Sequence, residues 1–173
     1  MGLAASLPLQ HPWAWSLAIC IAAAATEGVL SGTQVKLRFS ELRLPRPALP
    51  LRYWFVIGAA YYVFFFFTLN SILGAPPTPI WTATTLVLAV ALLGANAIWN
   101  LFFFRKKNLR LSFILFLPYD LAAIVFGFAL YRLSNPYFSR FLIYICYLTY
   151  ASWWGHRVWR LNSLSPIAIR PDV

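Results

Sequence analysis

Acidic residues are scarce in this chain: four Asp and Glu stand against 14 Lys and Arg in 173 residues. Charge of either sign is low at 10%, while hydrophobic residues reach 61%. A soluble domain carries about 25% charged residues. So few charges cannot give a folded chain of this length a polar exterior, which excludes an ordinary soluble enzyme, a disordered tail and a nucleic-acid-binding domain. Cysteine is sparse too. Cys20 and Cys146 both lie in apolar stretches, so no disulfide framework is implied. The two histidines, His11 and His156, fall near opposite ends of the expected spans and cannot share a small metal ion. A nucleotide-binding glycine pattern and a nucleophile elbow are both missing. The stretch Met1 to Pro12 has no Lys or Arg, so it lacks the basic region of a signal peptide. The first apolar segment is expected to stay as a membrane helix.

What is present is length and apolarity. Crossing about 30 Å of hydrocarbon takes about 20 residues at 1.5 Å each. Five stretches qualify: about 12–35, 53–73, 80–104, 111–131 and 137–159. They lack the polar/apolar alternation of barrel strands. The expected fold is therefore all-α, a single integral membrane bundle of five transmembrane helices over residues 1–173, with 163–173 as a more polar cytosolic tail. The Gly74–Pro79 segment reads as a proline-stiffened turn. The connection from Lys36 to Arg52, with Pro45, Pro47 and Pro50, reads as extended or turned.

The cations test that count. With five spans, Lys36, Arg38, Arg43, Arg46, Arg52, Arg105, Lys106, Lys107, Arg110, Arg157, Arg160 and Arg170 share one side. Only Arg132 and Arg140 fall on the other. Lys and Arg stay on the cytosolic side, so the N-terminus is expected outside and the C-terminus in the cytosol. Plasma, outer mitochondrial and endoplasmic reticulum membranes all remain open. The basic face sets orientation and can also attract anionic lipid headgroups.

Two acids lie inside spans. Glu27 is in the first, and Asp120 is in the fourth, two residues after Pro118. A carboxyl in the membrane usually faces the bundle interior or a cavity. Each is a candidate acid/base, or else a carboxyl paired with a polar group on a neighbouring helix. Glu27, nearer the cytosolic end, is expected within reach of Lys or Arg. Asn96, Trp99, Asn100 and Phe103 fall on one stripe of the third helix. Such a stripe suits an apolar pocket with a few orienting amides, or hydrogen bonds between helices. Tyr144, Tyr147, Ala151 and Gly155 form a similar stripe on the fifth. Ala24, Gly28 and Gly32 form a small-residue line on the first, expected to let helix backbones approach. Trp13, Trp15, Trp54, Trp81, Trp153, Trp154 and Trp159 lie mostly near span ends, as in an interfacial belt.

The order of these features resembles the TspO/translocator protein family, the tryptophan-rich sensory proteins. Asn96-Ala-Ile-Trp-Asn-Leu-Phe-Phe-Phe104 is similar to the family's Asn-x-x-Trp-x-x-x-Phe-Phe segment. Val158-Trp-Arg-Leu-Asn162 is similar to its closing (Ile/Val)-Trp-(Arg/Lys)-x-Asn. The basic, proline-rich stretch from Phe39 to Phe55, leading into Trp54, is a third likeness. The chain departs from the family at Ile143, Tyr147, Gly155 and His156, where the family has Pro, Trp, Asn and Tyr. The last of these removes the tyrosine of a proposed sterol motif. The resemblance implies a five-helix bundle, often a homodimer, that binds porphyrins, haem-like tetrapyrroles, sterols or other flat hydrophobic molecules. It implies that Trp54, Asn96, Trp99, Tyr144, Tyr147 and Ala151 line or cap the ligand site, with no cofactor required. If the ligand is a porphyrin, its propionates would suit Arg43, Arg46 and Arg52. Two other readings stay open: a small intramembrane enzyme acting on an isoprenoid or tetrapyrrole through Asp120 or Glu27, and a structural or assembly subunit.

Overall fold

The computed structural model describes residues 11–75, 79–133 and 136–163. The Pro76-Pro77-Thr78 part of the expected turn, and the tail beyond Ser163 with Arg170, lie outside the described residues. The described chain is all-helical. Its helices are α1 (Pro12–Ser31), α2 (Val35–Glu41), α3 (Leu51–Gly74), α4 (Pro79–Asn100), α5 (Leu109–Ile114), α6 (Phe116–Arg132) and α7 (Phe138–Ser163). A π-helical turn, Leu101–Arg105, continues α4.

Four stretches are long and apolar enough to cross a membrane: Pro12–Ser31, Leu51–Gly74, Ile80–Arg105 and Leu109–Arg132. They mark a multi-pass membrane protein. Helix α7 is long enough, with 26 residues, but it is less apolar. Tyr144, Tyr147, Tyr150, Trp153, Trp154 and His156 take places that aliphatic residues fill elsewhere.

The expected boundaries hold for α3 and shift in three other places. The first span ends at Ser31 rather than about residue 35, because Gly32 turns the chain at φ 75°. This is the left-handed region that glycine enters without steric cost. The following connection is not all extended, since α2 occupies its first part. The fourth span is broken at Leu115. Pro118 has no N–H to give the carbonyl of Ile114, and its ring crowds that carbonyl. The break therefore falls one turn before the proline.

Helix α1 packs on α3 and α4, α4 on α6, and α6 on α7, while α5 lies on α7. Gly74 at the end of α3 sits beside Pro12 at the start of α1, so these two run antiparallel. In lipid the hydrophobic effect does not hold helices together, so shape and packing decide. Two glycines fit two phenylalanines on the α6–α7 side. A Cβ at Gly127 would stand 2.5 Å from Cε1 of Phe141, and one at Gly155 would stand 2.6 Å from Cε2 of Phe116. Gly155 thus serves helix contact, unlike the rest of its stripe. Hydroxyls inside spans are satisfied locally: Ser16 donates to Pro12 O at 2.8 Å, Thr68 to Phe64 O at 2.8 Å and Thr85 to Trp81 O at 2.6 Å.

The buried side chains form two groups. The larger holds Phe65, Leu69, Leu92, Phe126, Leu130, Phe141 and Tyr144. The smaller holds Phe39, Leu42, Phe103, Trp154 and Val158. The expectation of an interfacial belt fits Trp13, Trp15 and Trp153, which are exposed. It fails for Trp154, which is buried against Phe39, Trp54 and Phe103.

Candidate functional site: a cavity between the helices

Residues of both buried groups wall a cavity of about 360 Å³. Helix α1 contributes Ala24, Glu27, Gly28 and Ser31; α3 contributes Trp54, Phe55, Gly58, Tyr61 and Tyr62. Asn96, Trp99, Asn100, Phe103 and Phe104 come from α4 and its π turn. Leu115, Phe116 and Tyr119 come from the broken helix, and Tyr144, Tyr147, Ala151 and Trp154 from α7. Ala24, Gly28 and Phe55 are also exposed, so the wall is open on the side of α1 and α3.

Rings make most of this wall. Trp54 lies 6.5 Å from Tyr147 and 4.7 Å from Trp154, centroid to centroid. Trp99 stacks on Phe103 at 4.7 Å and an interplanar angle of 17°. The two rings are four residues apart, the spacing that puts side chains on one face of a helix, and the π turn begins between them. Lys106 N bonds Leu101 O across five residues at 2.8 Å, and the wider turn rotates Phe103 and Phe104 relative to a regular helix. Such turns recur at functional sites. Trp54 is fixed from its polar edge, where Nε1 donates to Leu49 O at 3.2 Å.

Two sets of polar groups in the wall are tied together by hydrogen bonds, while the buried Nε1 atoms of Trp99 and Trp154 have no hydrogen-bond partner among the described residues. The carboxylate Oε2 of Glu27 accepts from Tyr62 Oη at 2.6 Å and from Asn96 Nδ2 at 2.7 Å. This joins α1, α3 and α4 at one point. The second set is a row of hydroxyls. Tyr61 Oη donates to Leu92 O at 3.3 Å and lies 3.4 Å from Tyr119 Oη, which in turn is hydrogen-bonded to Tyr144 Oη. Both sets satisfy polar groups that would be costly to leave unpaired among apolar neighbours.

No protein-family model and no curated protein sequence matches this chain.

All six residues singled out as ligand contacts, Trp54, Asn96, Trp99, Tyr144, Tyr147 and Ala151, stand on this one wall. The two acid candidates separate. Glu27 is in the wall, but it meets neutral donors and not the Lys or Arg expected. Asp120 is outside the wall, where its Oδ2 accepts from Ser152 Oγ at 2.7 Å on α7. The small-residue line of α1 also changes meaning. A Cβ added at Gly28 or Gly32 meets no atom within 4 Å, so these residues leave space instead of closing a helix contact. Arg43, Arg46 and Arg52 are not in the wall. Arg43 is clasped at its backbone instead: its N donates to Asn162 Oδ1 at 3.1 Å, and its O accepts from Asn162 Nδ2 at 3.0 Å.

The residues the sequence did not single out are Tyr61, Tyr62, Tyr119 and Trp154. A tyrosine in mid-span carries a hydroxyl that needs a partner inside the bundle. That signal was available at all three tyrosines.

Proposed function

We propose that this protein binds a flat, largely apolar molecule between its helices, in the cavity walled by Trp54, Asn96, Trp99, Tyr144, Tyr147 and Ala151. The observation that carries the reading is an aromatic wall enclosing about 360 Å³ with few polar groups. Small-molecule sites have this character and a volume of about 300–1,000 Å³. Ring faces supply affinity to a flat ligand, and Asn96 and the tyrosine hydroxyls orient it. The patches at Asn96–Phe104 and Val158–Asn162 support a TspO/translocator-like protein, with a tetrapyrrole or sterol-like ligand class.

The proposal includes α7 as a fifth span. At 1.5 Å per residue its 26 residues reach about 39 Å, and its rings complete the cavity. The cation distribution then supports an outside N-terminus and a cytosolic C-terminus. An acid/base role for Asp120 is not favoured, since that carboxylate is hydrogen-bonded to Ser152 away from the cavity.

The test is a tryptophan-fluorescence titration of detergent-purified protein with protoporphyrin IX and, separately, with a fluorescent sterol. Trp54, Trp99 and Trp154 stand in the wall and report occupancy. Saturable quenching or transfer is expected, and Gly28→Leu, which fills open space in the wall, should remove it. A saturable signal that survives Gly28→Leu refutes this site.

A further inference from the structure

Glu27 is the one charged residue among those walling the cavity. Its Oε2 takes both hydrogen bonds, from Tyr62 and Asn96, while Oε1 has no hydrogen-bond partner among the described residues. Both bonds lie within the ordinary range of hydrogen-bond lengths. They come from neutral groups on two other helices, so they fix the carboxyl group and supply no opposite charge. Among the described residues no Lys, Arg or His lies within ion-pair distance of it; the described ion pairs are those of Glu41 with Arg38 and Lys107. An uncompensated carboxylate inside an apolar bundle is unfavourable unless something supplies the opposite charge.

Trp54, Tyr61, Trp99 and Phe103 also line the cavity. The face of such a ring carries the negative side of its quadrupole, so a ring face that meets the ligand favours a cation. The cationic residues nearest in sequence, Lys36 and Arg38, are absent from the wall, as are Arg43, Arg46 and Arg52. We propose that the cavity selects a flat aromatic monocation, a lipophilic protonated amine, whose N–H pairs with Oε1 of Glu27 while its rings lie against Trp54 and Trp99. This rests on the cavity being the ligand site, as proposed above, and not on the tetrapyrrole or sterol-like class named there, since porphyrin propionates carry the same charge as a carboxylate at Glu27. Long-range electrostatics cannot mimic the effect, because the chain carries a net charge of +10, which repels cations.

The experiment compares 9-aminoacridine, cationic at neutral pH, with acridine, neutral there. Both are titrated by their own fluorescence in nonionic detergent at fixed ionic strength. The wild type should bind the cation at least about tenfold more tightly, the scale of one hydrogen bond to a charged group. Glu27→Gln should erase that preference, bringing the two probes to within about twofold of each other. Gly28→Leu should weaken both probes. Acridine bound as tightly as 9-aminoacridine by the wild type, with both lost in Gly28→Leu, overturns the monocation and leaves the cavity reading standing. So does a preference that persists in Glu27→Gln. Binding of neither probe, or binding of both untouched by Gly28→Leu, overturns the cavity reading and this inference with it. The wild-type comparison needs no variant, so it decides even if Glu27→Gln fails to fold.

Discussion

Gly28→Leu should move stability and binding in opposite directions. Gly28 lies within α1, next to Glu27, and an added Cβ there meets no atom within 4 Å. Glycine in a helix interior is about 0.8–1 kcal/mol less favourable than a good helix former such as leucine. The substitution therefore gains most of 1 kcal/mol in helix propensity, with open space at the Cβ position. For a chain of this length that is a rise in Tm of about 2–4 °C. The same side chain projects into the cavity. A flat ligand forced against it meets an overpacked site, costing about 1–3 kcal/mol, or roughly tenfold to hundredfold in Kd. Thermal unfolding followed by intrinsic fluorescence, together with the titration, measures both. Gly127→Ala is the opposite case. Its Cβ would stand 2.5 Å from the Phe141 ring, which Phe64, Phe126 and Tyr144 hold in place. Here overpacking outweighs the helix gain, and Tm should fall by a few degrees. A lower Tm in Gly28→Leu, or a higher one in Gly127→Ala, would refute the packing on which the cavity rests. Unchanged binding in a stabilised Gly28→Leu would remove the cavity as the ligand site.

The tyrosine row predicts an order. Tyr119→Phe leaves Tyr144 Oη buried without its partner and should cost about 1–3 kcal/mol; Tyr61→Phe keeps the Tyr119–Tyr144 bond and should cost less in the same denaturation assay, so equal losses contradict the row. Asn162→Ala removes the clasp on Arg43, and trypsin should then cut faster after Arg43, whereas an unchanged cleavage rate would mean the clasp does not hold this connection. Hydrogen bonding and charge from Lys107, then Arg38, hold the Glu41 carboxyl below its ordinary value. Its stabilising effect is therefore present above the ordinary carboxylate range and is lost as pH falls through the lowered value. Because Glu41 is exposed the effect is small: wild type and Glu41→Gln should melt together at pH 3 and separate slightly at pH 7, and a gap that grows in acid contradicts the sign. Finally, reporters fused to the two termini should label on opposite sides of the membrane with five spans, and on the same side if α7 does not cross.

The helices were legible because apolar length is written directly in the chain. Leu51–Gly74 needed nothing more than its run of aliphatic and phenylalanine residues. The wall was legible where one helix carries a stripe: Asn96, Trp99, Asn100 and Phe103 recur at helical spacing and meet one cavity. What stayed hidden depends on pairs of helices. Nothing near Glu27 in sequence says that its partners are Tyr62 and Asn96, residues 35 and 69 positions away. The roles of two glycines were equally hidden. Gly28 leaves space although it lies in the small-residue line, and Gly155 receives the Phe116 ring although it ends the tyrosine stripe. Trp154 looked interfacial by position alone, and became core because Phe39 of α2 folds over it.

Three departures from regular helix border the cavity, and their common location explains why it stays open. Regular helices in a bundle close on one another through knobs and grooves, and a void loses those contacts on every side. On α1, Gly28 and Gly32 remove the side chains that would fill the gap. On α4, the π turn at Leu101–Arg105 inserts an extra residue beside the cavity, where Phe103 stacks on Trp99. On the fourth span, Pro118 breaks the helix at Leu115, so Leu115, Phe116 and Tyr119 follow a different path from a straight rod. Backbone that is not regularly bonded is tolerated at membrane depth only where protein buries it or a cavity takes it up. Each irregularity would be a cost if the bundle closed, and together they leave the helices no regular surface with which to close. The space between them is thus set by backbone, and substitutions of single rings should reshape it less than restoring a side chain at Gly28.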